Sequence, residues 1–329
     1  MHSDRTEHWA HFRRVVQPAL ALAPITFLDD IANNLESAGV QDAVARRDSG
    51  PIFDWLLTLF QLQGISDAVA FSYAERHGSV RWSEIRVRLK DDPACHRLKS
   101  YWHLSGCGYK KSVLTCSEPH LLHDCPLPQH PLRNGRLNQA AYSLFLFIRD
   151  ICEGDLVGWI DDRLQQADPG AEDPHRAAVL REALLSPLEN IYGVGRKLWS
   201  MALADLLLAG DPNRERWRNT GKIFVAVDSL VHSFLHRTGV LHRFGCAHEI
   251  GPACYSAAGC ASLIEGLAQR MDRPSASPRF IQHSIWAFCA ADGHNICNGN
   301  RINDQARCDC RYCPVFDDCD RVSLRGVPD

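Results

Sequence analysis

The stretch Ile191-Tyr192-Gly193-Val194-Gly195-Arg196-Lys197 lies between two runs of helical periodicity, 176–190 and 196–209. Two glycines flanking one aliphatic residue permit a tight turn with no Cβ crowding the backbone. The amides then point outward where the next helix starts, and the helix dipole there favours one phosphate oxygen. Val194 can tuck back between the helices, and Arg196 sets a positive charge beside the phosphate. Taken alone, these seven residues also describe an ordinary αα-hairpin with a glycine turn.

Outward from the hairpin the pattern stays helical. Thr26 is placed to cap a helix carrying Phe27, Leu28, Ile31 and Leu35 on one face, with Asp29 at the capping-box position. Pro51 is placed to open another, with Ile52, Phe53, Trp55, Leu56, Leu59 and Phe60 on its apolar face. One long helix is expected from Ala141 to Gln165, with Gly154 and Gly158 as points of interruption. Further helices are expected at 227–237, 260–271 and 281–291. Loops rich in Pro, Gly, Asp or Asn fall at 126–135, 167–174, 211–221 and 273–278. No stretch alternates as a strand does, so the expected fold class is all-α.

The 329 residues are 45% hydrophobic and 23% charged, enough for one large or two interleaved globular domains. A net charge of -3 argues against coating nucleic acid by bulk charge, but not against a local grip on DNA. The segment Met1 to His8 is polar, and no apolar run reaches membrane-spanning length. A cytoplasmic protein with no membrane partner is expected, and no obligatory protein partner is evident. In a reducing compartment the 14 cysteines are read as metal ligands or buried thiols, not disulfides. Cys152 and Cys289 have apolar neighbours and read as core residues.

The hairpin is followed by an apolar lead and a helix-opening aspartate, Ile223-Phe224-Val225-Ala226-Val227-Asp228-Ser229. With the C-terminal cysteines, this order resembles the helix–hairpin–helix (HhH-GPD) DNA glycosylase superfamily, and within it the endonuclease III-like branch. The likeness covers 176–319 well and 51–111 weakly. It implies two helical domains with the active site in their cleft. It also implies a double-stranded DNA partner carrying a damaged or modified base, Lys197 as nucleophile and Asp228 as the essential carboxylate.

The residue chemistry agrees with those roles. Removing a base leaves positive character on the sugar C1′, which a nearby carboxylate stabilises. An unprotonated amine attacks C1′ to give a Schiff base, and β-elimination then nicks the strand. Burial against the hairpin and the charge of Arg196 are expected to favour the free amine. Lys197 also suits a plain phosphate contact, and Asp228 a plain helix cap. Lys197 and Asp228 are further apart in sequence than is typical of the family. The extra residues, 211–222, carry arginines and Trp217, which suit a DNA contact or a solvated loop.

Near the C-terminus, Cys310, Cys313 and Cys319 have two and then five residues between them, as at the end of the endonuclease III cluster loop. Gly293-His294-Asn295-Ile296-Cys297 resembles the start of that loop. Twelve residues separate Cys297 from Cys310, more than in the family. The resemblance implies a structural [4Fe–4S] cluster on Cys297, Cys310, Cys313 and Cys319, with Cys308 able to stand in for Cys310 or Cys297. Zinc is the alternative, because four thiolates suit it equally well.

Three weaker readings remain. The 98–111 segment resembles the family's minor-groove helix and turn. There Tyr109, or Cys107, is the candidate wedge, and Gln63 the candidate filler of the vacated base position. Flipping costs a few kcal/mol, so the reading requires a wedge. Cys107, Cys116, His120, His123 and Cys125 invite a second metal, but their spacing is no recognised zinc pattern. A stretch of about 112–174 reads as an insert able to reshape the base pocket.

The expected organisation is N-terminal helices in 1–50 packing with the C-terminal domain, and a six-helix-type domain in 51–221 that contains the insert and the hairpin. A C-terminal helical domain with the cluster loop completes it in 222–329. The expected function is a DNA glycosylase with AP-lyase activity. One rival excises a bulky hypermodified base, such as modified cytosine in phage DNA, as an antiviral defence. Others are a monofunctional glycosylase and a non-catalytic Fe–S DNA-binding protein.

Overall fold

The computed structural model describes residues 2–24, 26–62, 65, 67–90, 93–133, 135–271, 276–297 and 312–324. The protein is all-α: among the described residues there is no strand, and a single antiparallel bridge joins Lys110 and Thr115. Among the same residues, no single helix is long and apolar enough to cross a membrane. The chain forms two compact units, one of residues 31–220 and one of residues 1–30 with 221–329.

The unit of residues 31–220 is built on the Gly135–Asp150 helix, in which every residue from Leu137 to Ile148 is buried. A helix covered on all sides is a core element. Around it lie Ser49–Phe60, Trp82–Arg88 and Tyr101–Leu104. Trp82 packs edge-on against Phe53 and tilted against Phe145, with ring centroids at 5.3 and 4.4 Å. The stretch expected as an insert therefore contains the central helix of its unit. The single helix expected over 141–165 is two. Glu153 and Gly154 take φ of 52° and 86°, which end one helix, and Asp155 starts Leu156–Ala167 by accepting the Gly158 amide.

Residues 31–50, expected beside the C-terminal domain, belong here. Gln41 donates to the Ala209 carbonyl at 3.0 Å, and Ser49 to that of Gly154 at 2.8 Å. Asp48 caps the Ser49–Phe60 helix through the Gly50 amide, so that helix starts ahead of Pro51. The 211–222 spacer is also corrected. It holds a helix, Glu215–Gly221, and Trp217 is buried with its Nε1 donating to Asp161 at 2.7 Å. Arg214 pairs with Asp161 and Asp211, and Arg216 pairs with Asp168. These side chains are spent on folding the spacer down.

The second unit packs the N-terminal His2–Leu22 helix on Pro278–Cys289, which also meets Ser229–Arg237 and Cys260–Ala268. Phe12, Val15, Val16, Phe234, Ile285 and Phe288 are among its fully buried residues. His11 reaches across to the Thr238 carbonyl at 2.8 Å, which ties the chain's first helix to the end of Ser229–Arg237.

Candidate functional site

Two histidines and two cysteines that no short motif marks converge in the second unit. His232 comes from the Ser229–Arg237 helix, His248 from the connector after it, and Cys254 from the 3-10 turn Pro252–Tyr255. Cys260 is the first residue of the Cys260–Ala268 helix. Their ligand atoms all lie within 4.8 Å of one another. His232 Nδ1 is 3.5 Å from both Cys254 Sγ and Cys260 Sγ, and His248 Nε2 is 3.5 Å from Cys260 Sγ. A tetrahedral zinc with ordinary Zn–N and Zn–S bonds sets such N···S pairs about 3.6 Å apart.

The surroundings suit a metal as well. His248 Nδ1 donates to the Cys246 carbonyl at 2.6 Å, which turns the Nε2 lone pair toward the thiols. Cys254 and Cys260 share a hydrogen bond that pulls the Cys254 thiol down and pushes Cys260 up, and bonds from His232 and the Gly251 amide add to the pull on Cys254, so the first charge of the pair rests there. His232, Cys254 and Cys260 are buried. A His2Cys2 group at metal-binding distance is thus present. Four protein donors make a closed coordination shell, the arrangement of a structural ion.

Asp228 sits one turn from this group. The buried lead Phe224-Val225-Ala226-Val227 delivers it to the start of the Ser229–Arg237 helix, where its Oδ1 accepts the Val231 amide at 2.9 Å. Tyr255, next to Cys254 in sequence, accepts the Val227 amide at 3.0 Å. The backbone just ahead of Asp228 is therefore held by the same turn that carries a thiol of the His2Cys2 group.

In the other unit the hairpin adopts the expected turn. Gly193 has φ 75°, which an L side chain resists, and Val194 is buried. The Tyr192 amide donates to Ser143 on the central helix at 3.0 Å. Gly195 begins the Arg196–Ala209 helix with no side-chain cap, and Gly193 and Gly195 are both exposed. Lys197 is exposed in the first turn, not buried as expected. Arg196 is held by Glu182 and, at 2.9 Å, by Glu189. Its charge is locally neutralised, which corrects its reading as a positive charge offered to phosphate.

Of the expected cluster ligands, Cys297 and Cys313 pack against the core of their unit. Cys289, read as a plain core residue, shares a hydrogen bond with Cys297 and interacts with Cys313 and Asp228. Burial pushes Cys289 up, and the neighbouring thiols and carboxylate add to this. Cys319 bonds the Arg237 carbonyl at 3.4 Å. Cys308 and Cys310 lie outside the described residues, as does Gln63. Tyr109 is 2% exposed, so its ring is not placed to wedge into a base stack.

No protein-family model, curated protein or solved structure gives a significant match to this chain.

Proposed function

We propose that this protein is a helix–hairpin–helix DNA glycosylase that grips duplex DNA, flips out a damaged or modified base and releases it from its sugar. The observation that carries the reading is the hairpin. A left-handed Gly193, a buried Val194 and an uncapped, exposed Gly195 with open space around it lead into the Arg196–Ala209 helix. Such a terminus accepts a phosphate oxygen. Asp228, rigid as a helix cap, is the carboxylate that stabilises the charge growing on C1′ as the base leaves. The Lys197 amine attacks C1′, the glycosidic bond breaks with its electron pair going to the base, and the Schiff base that follows permits strand cleavage.

The His2Cys2 group is read as a zinc site that fixes the Asp228 helix, and the C-terminal thiols as holders of a structural [4Fe–4S] cluster. One observation favours a monofunctional variant. Lys197 is exposed in the first helical turn, where lysines commonly touch phosphate.

Borohydride trapping on abasic and damaged duplexes, with Lys197→Ala beside the wild type, tests the scheme. A trapped wild-type complex that the variant loses supports the lyase. Base release without any trapped complex supports the monofunctional form. DNA binding with no base release on thymine glycol or on bulky modified cytosines points instead to a non-catalytic DNA-binding protein.

A further inference from the structure

The 106–117 segment is a loop braced at two levels. At its base Ser117 Oγ accepts the Gly108 amide at 2.7 Å and donates to the Gly106 carbonyl at 2.6 Å. Above that, Lys110 and Thr115 form the antiparallel bridge. The Lys110 amide donates to the Thr115 carbonyl at 2.7 Å, and the Lys110 carbonyl accepts the Val113 and Thr115 amides, each at 3.3 Å. The chain between the bridge partners is thereby held out as a tip made of Ser112, Val113 and Leu114.

The tip is apolar, and it faces solvent. Val113 is 61% exposed and Leu114 58%. Leu114 also takes φ 48°, the left-handed region that an L side chain enters against steric resistance. Among the described residues other than glycine with a positive φ, it is the one with an apolar side chain. Neither burial nor backbone preference accounts for a leucine at this position. Strain of this kind persists only where the surroundings over-determine it, and it gathers at ligand contacts.

The brace under the tip is shared with the glycine hairpin. A Cβ added at Gly135, the first residue of the central helix, would lie 2.6 Å from the Lys111 nitrogen and 3.2 Å from the Lys110 Cα, so the backbones touch there. Lys111 Nζ donates to the His130 carbonyl at 3.1 Å and to the Leu132 carbonyl, both in the connector that leads to the same helix. The next residue, Arg136, meets the hairpin, its carbonyl 3.0 Å from a Cβ added at Gly193. The Val113–Leu114 tip and the Gly193 turn therefore rest on adjacent residues of one helix. Lys110, Arg136 and Lys197 accompany them, all exposed.

This pattern fits a duplex. Cations and a helix start suit the phosphates, and an apolar tip suits the base stack between them. Two side chains fall far short of the area that a stable protein interface buries. We infer that Val113 and Leu114 are the wedge that enters the stack beside the extruded nucleotide, the role for which the buried Tyr109 is not placed. They act as positioning residues: their side chains occupy the space that the base vacates and so offset the cost of unstacking it. The extruded base rests on the glycosylase reading, whereas entry into the stack is measurable without base release.

The test compares full-length wild type with Val113→Ser/Leu114→Gly. Glycine accepts the left-handed φ, so the variant should melt close to wild type. The first readout is the fluorescence of 2-aminopurine placed beside thymine glycol, or beside a bulky modified cytosine, in a duplex. Wild type is expected to raise it as the stack opens, and the variant to lose most of the rise. The second is single-turnover base release from the same lesions, in the duplex and in an unpaired bubble. The variant should be slower by about 10-fold or more on the duplex and within about twofold of wild type on the bubble, where the base is already unpaired. A variant that keeps the fluorescence rise, or the duplex rate, overturns the wedge and leaves the glycosylase reading standing. Equal losses on duplex and bubble overturn it too, as does a wild type that leaves the fluorescence unchanged. A wild type that opens the stack but releases no base, beside a variant that does not open it, ends the glycosylase reading and keeps the wedge. Trp102→Ala, at another exposed ring of the same unit, should retain both signals. Loss in Trp102→Ala with retention in the tip variant would move the wedge to Trp102.

Discussion

The backbone carbonyl of Asp228 accepts the amide of His232 at 3.0 Å. The carboxylate that caps the Ser229–Arg237 helix and the imidazole that faces Cys254 and Cys260 are therefore one turn apart on a single helix. Fixing the imidazole fixes the carboxylate, because a helical turn is too stiff to bend between them.

That stiffness separates two roles of Asp228. Asp228→Asn keeps an oxygen for the Val231 amide, so the melting temperature should stay close to wild type. Asp228→Ala loses the cap, at a cost of about 1 kcal/mol. If the negative charge serves C1′, both variants should lose base release by about 100-fold or more in single-turnover assays. An Asn variant with wild-type release would leave Asp228 as a cap and nothing else.

Metal content and stability should fall together at the His2Cys2 group. His232→Ala or Cys260→Ser is expected to remove about one zinc per chain and to lower stability by several kcal/mol, read by elemental analysis and thermal melting. Wild-type protein that contains no zinc, and melts unchanged with a strong chelator, would contradict this.

The two hairpin glycines should behave differently. At Gly193 the φ of 75° and the Arg136 carbonyl, 3.0 Å from an added Cβ, make Gly193→Ala destabilising by about 1–2 kcal/mol. Gly195 has φ −87° and open space around a Cβ, so Gly195→Ala should fold normally. If a phosphate sits on the first amides of this helix, the methyl group would crowd it and weaken duplex binding by about 1 kcal/mol, roughly fivefold. Equal DNA affinity for Gly195→Ala and wild type would remove the hairpin from the DNA contact.

The spacer arginines should not contribute to DNA affinity. Arg214→Ala and Arg216→Ala break ion pairs with Asp161, Asp211 and Asp168. Stability should drop by no more than about 1 kcal/mol for either, with the salt dependence of DNA binding unchanged. A shallower salt slope in either variant would put that guanidinium back on phosphate.

His130 is buried at 3% exposure against the Tyr142 hydroxyl, 2.8 Å away, and burial pushes it down to about 4. In the unfolded chain it protonates near pH 6.5, while the folded protein resists protonation until about pH 4. Between those values only the unfolded chain gains the proton. Stability of the 31–220 unit should therefore be intact above pH 6.5 and decline as pH falls toward 4, by on the order of 3 kcal/mol. His130→Gln should flatten that part of a denaturation-versus-pH curve.

Much of the fold was legible in the residues. The helices at 176–190, 196–209 and 227–237 were expected from apolar periodicity, and Arg176–Leu188, Arg196–Ala209 and Ser229–Arg237 match them closely. Caps and glycines are local signals, and local signals survive in one dimension. The 153–154 break was only half legible, since glycine marks a point of weakness without saying that the chain turns left-handed there.

The sites divide along the same line. Gly193, Val194 and Gly195 are adjacent in sequence, so their turn could be read directly, and Asp228 was marked by the helix it opens. His232, His248, Cys254 and Cys260 spread over two helices, a connector and a 3-10 turn at spacings that match no short motif, and only packing brings their ligand atoms within 4.8 Å. The same holds for Trp217, which polar neighbours in sequence made look exposed and Asp161 holds inside. Sequence alone determined the helices, the hairpin and the cap, because each depends on residues a turn or less apart. Tertiary structure alone decided which thiols, imidazoles and arginines have partners, because those partners lie far along the chain and meet only when the core closes.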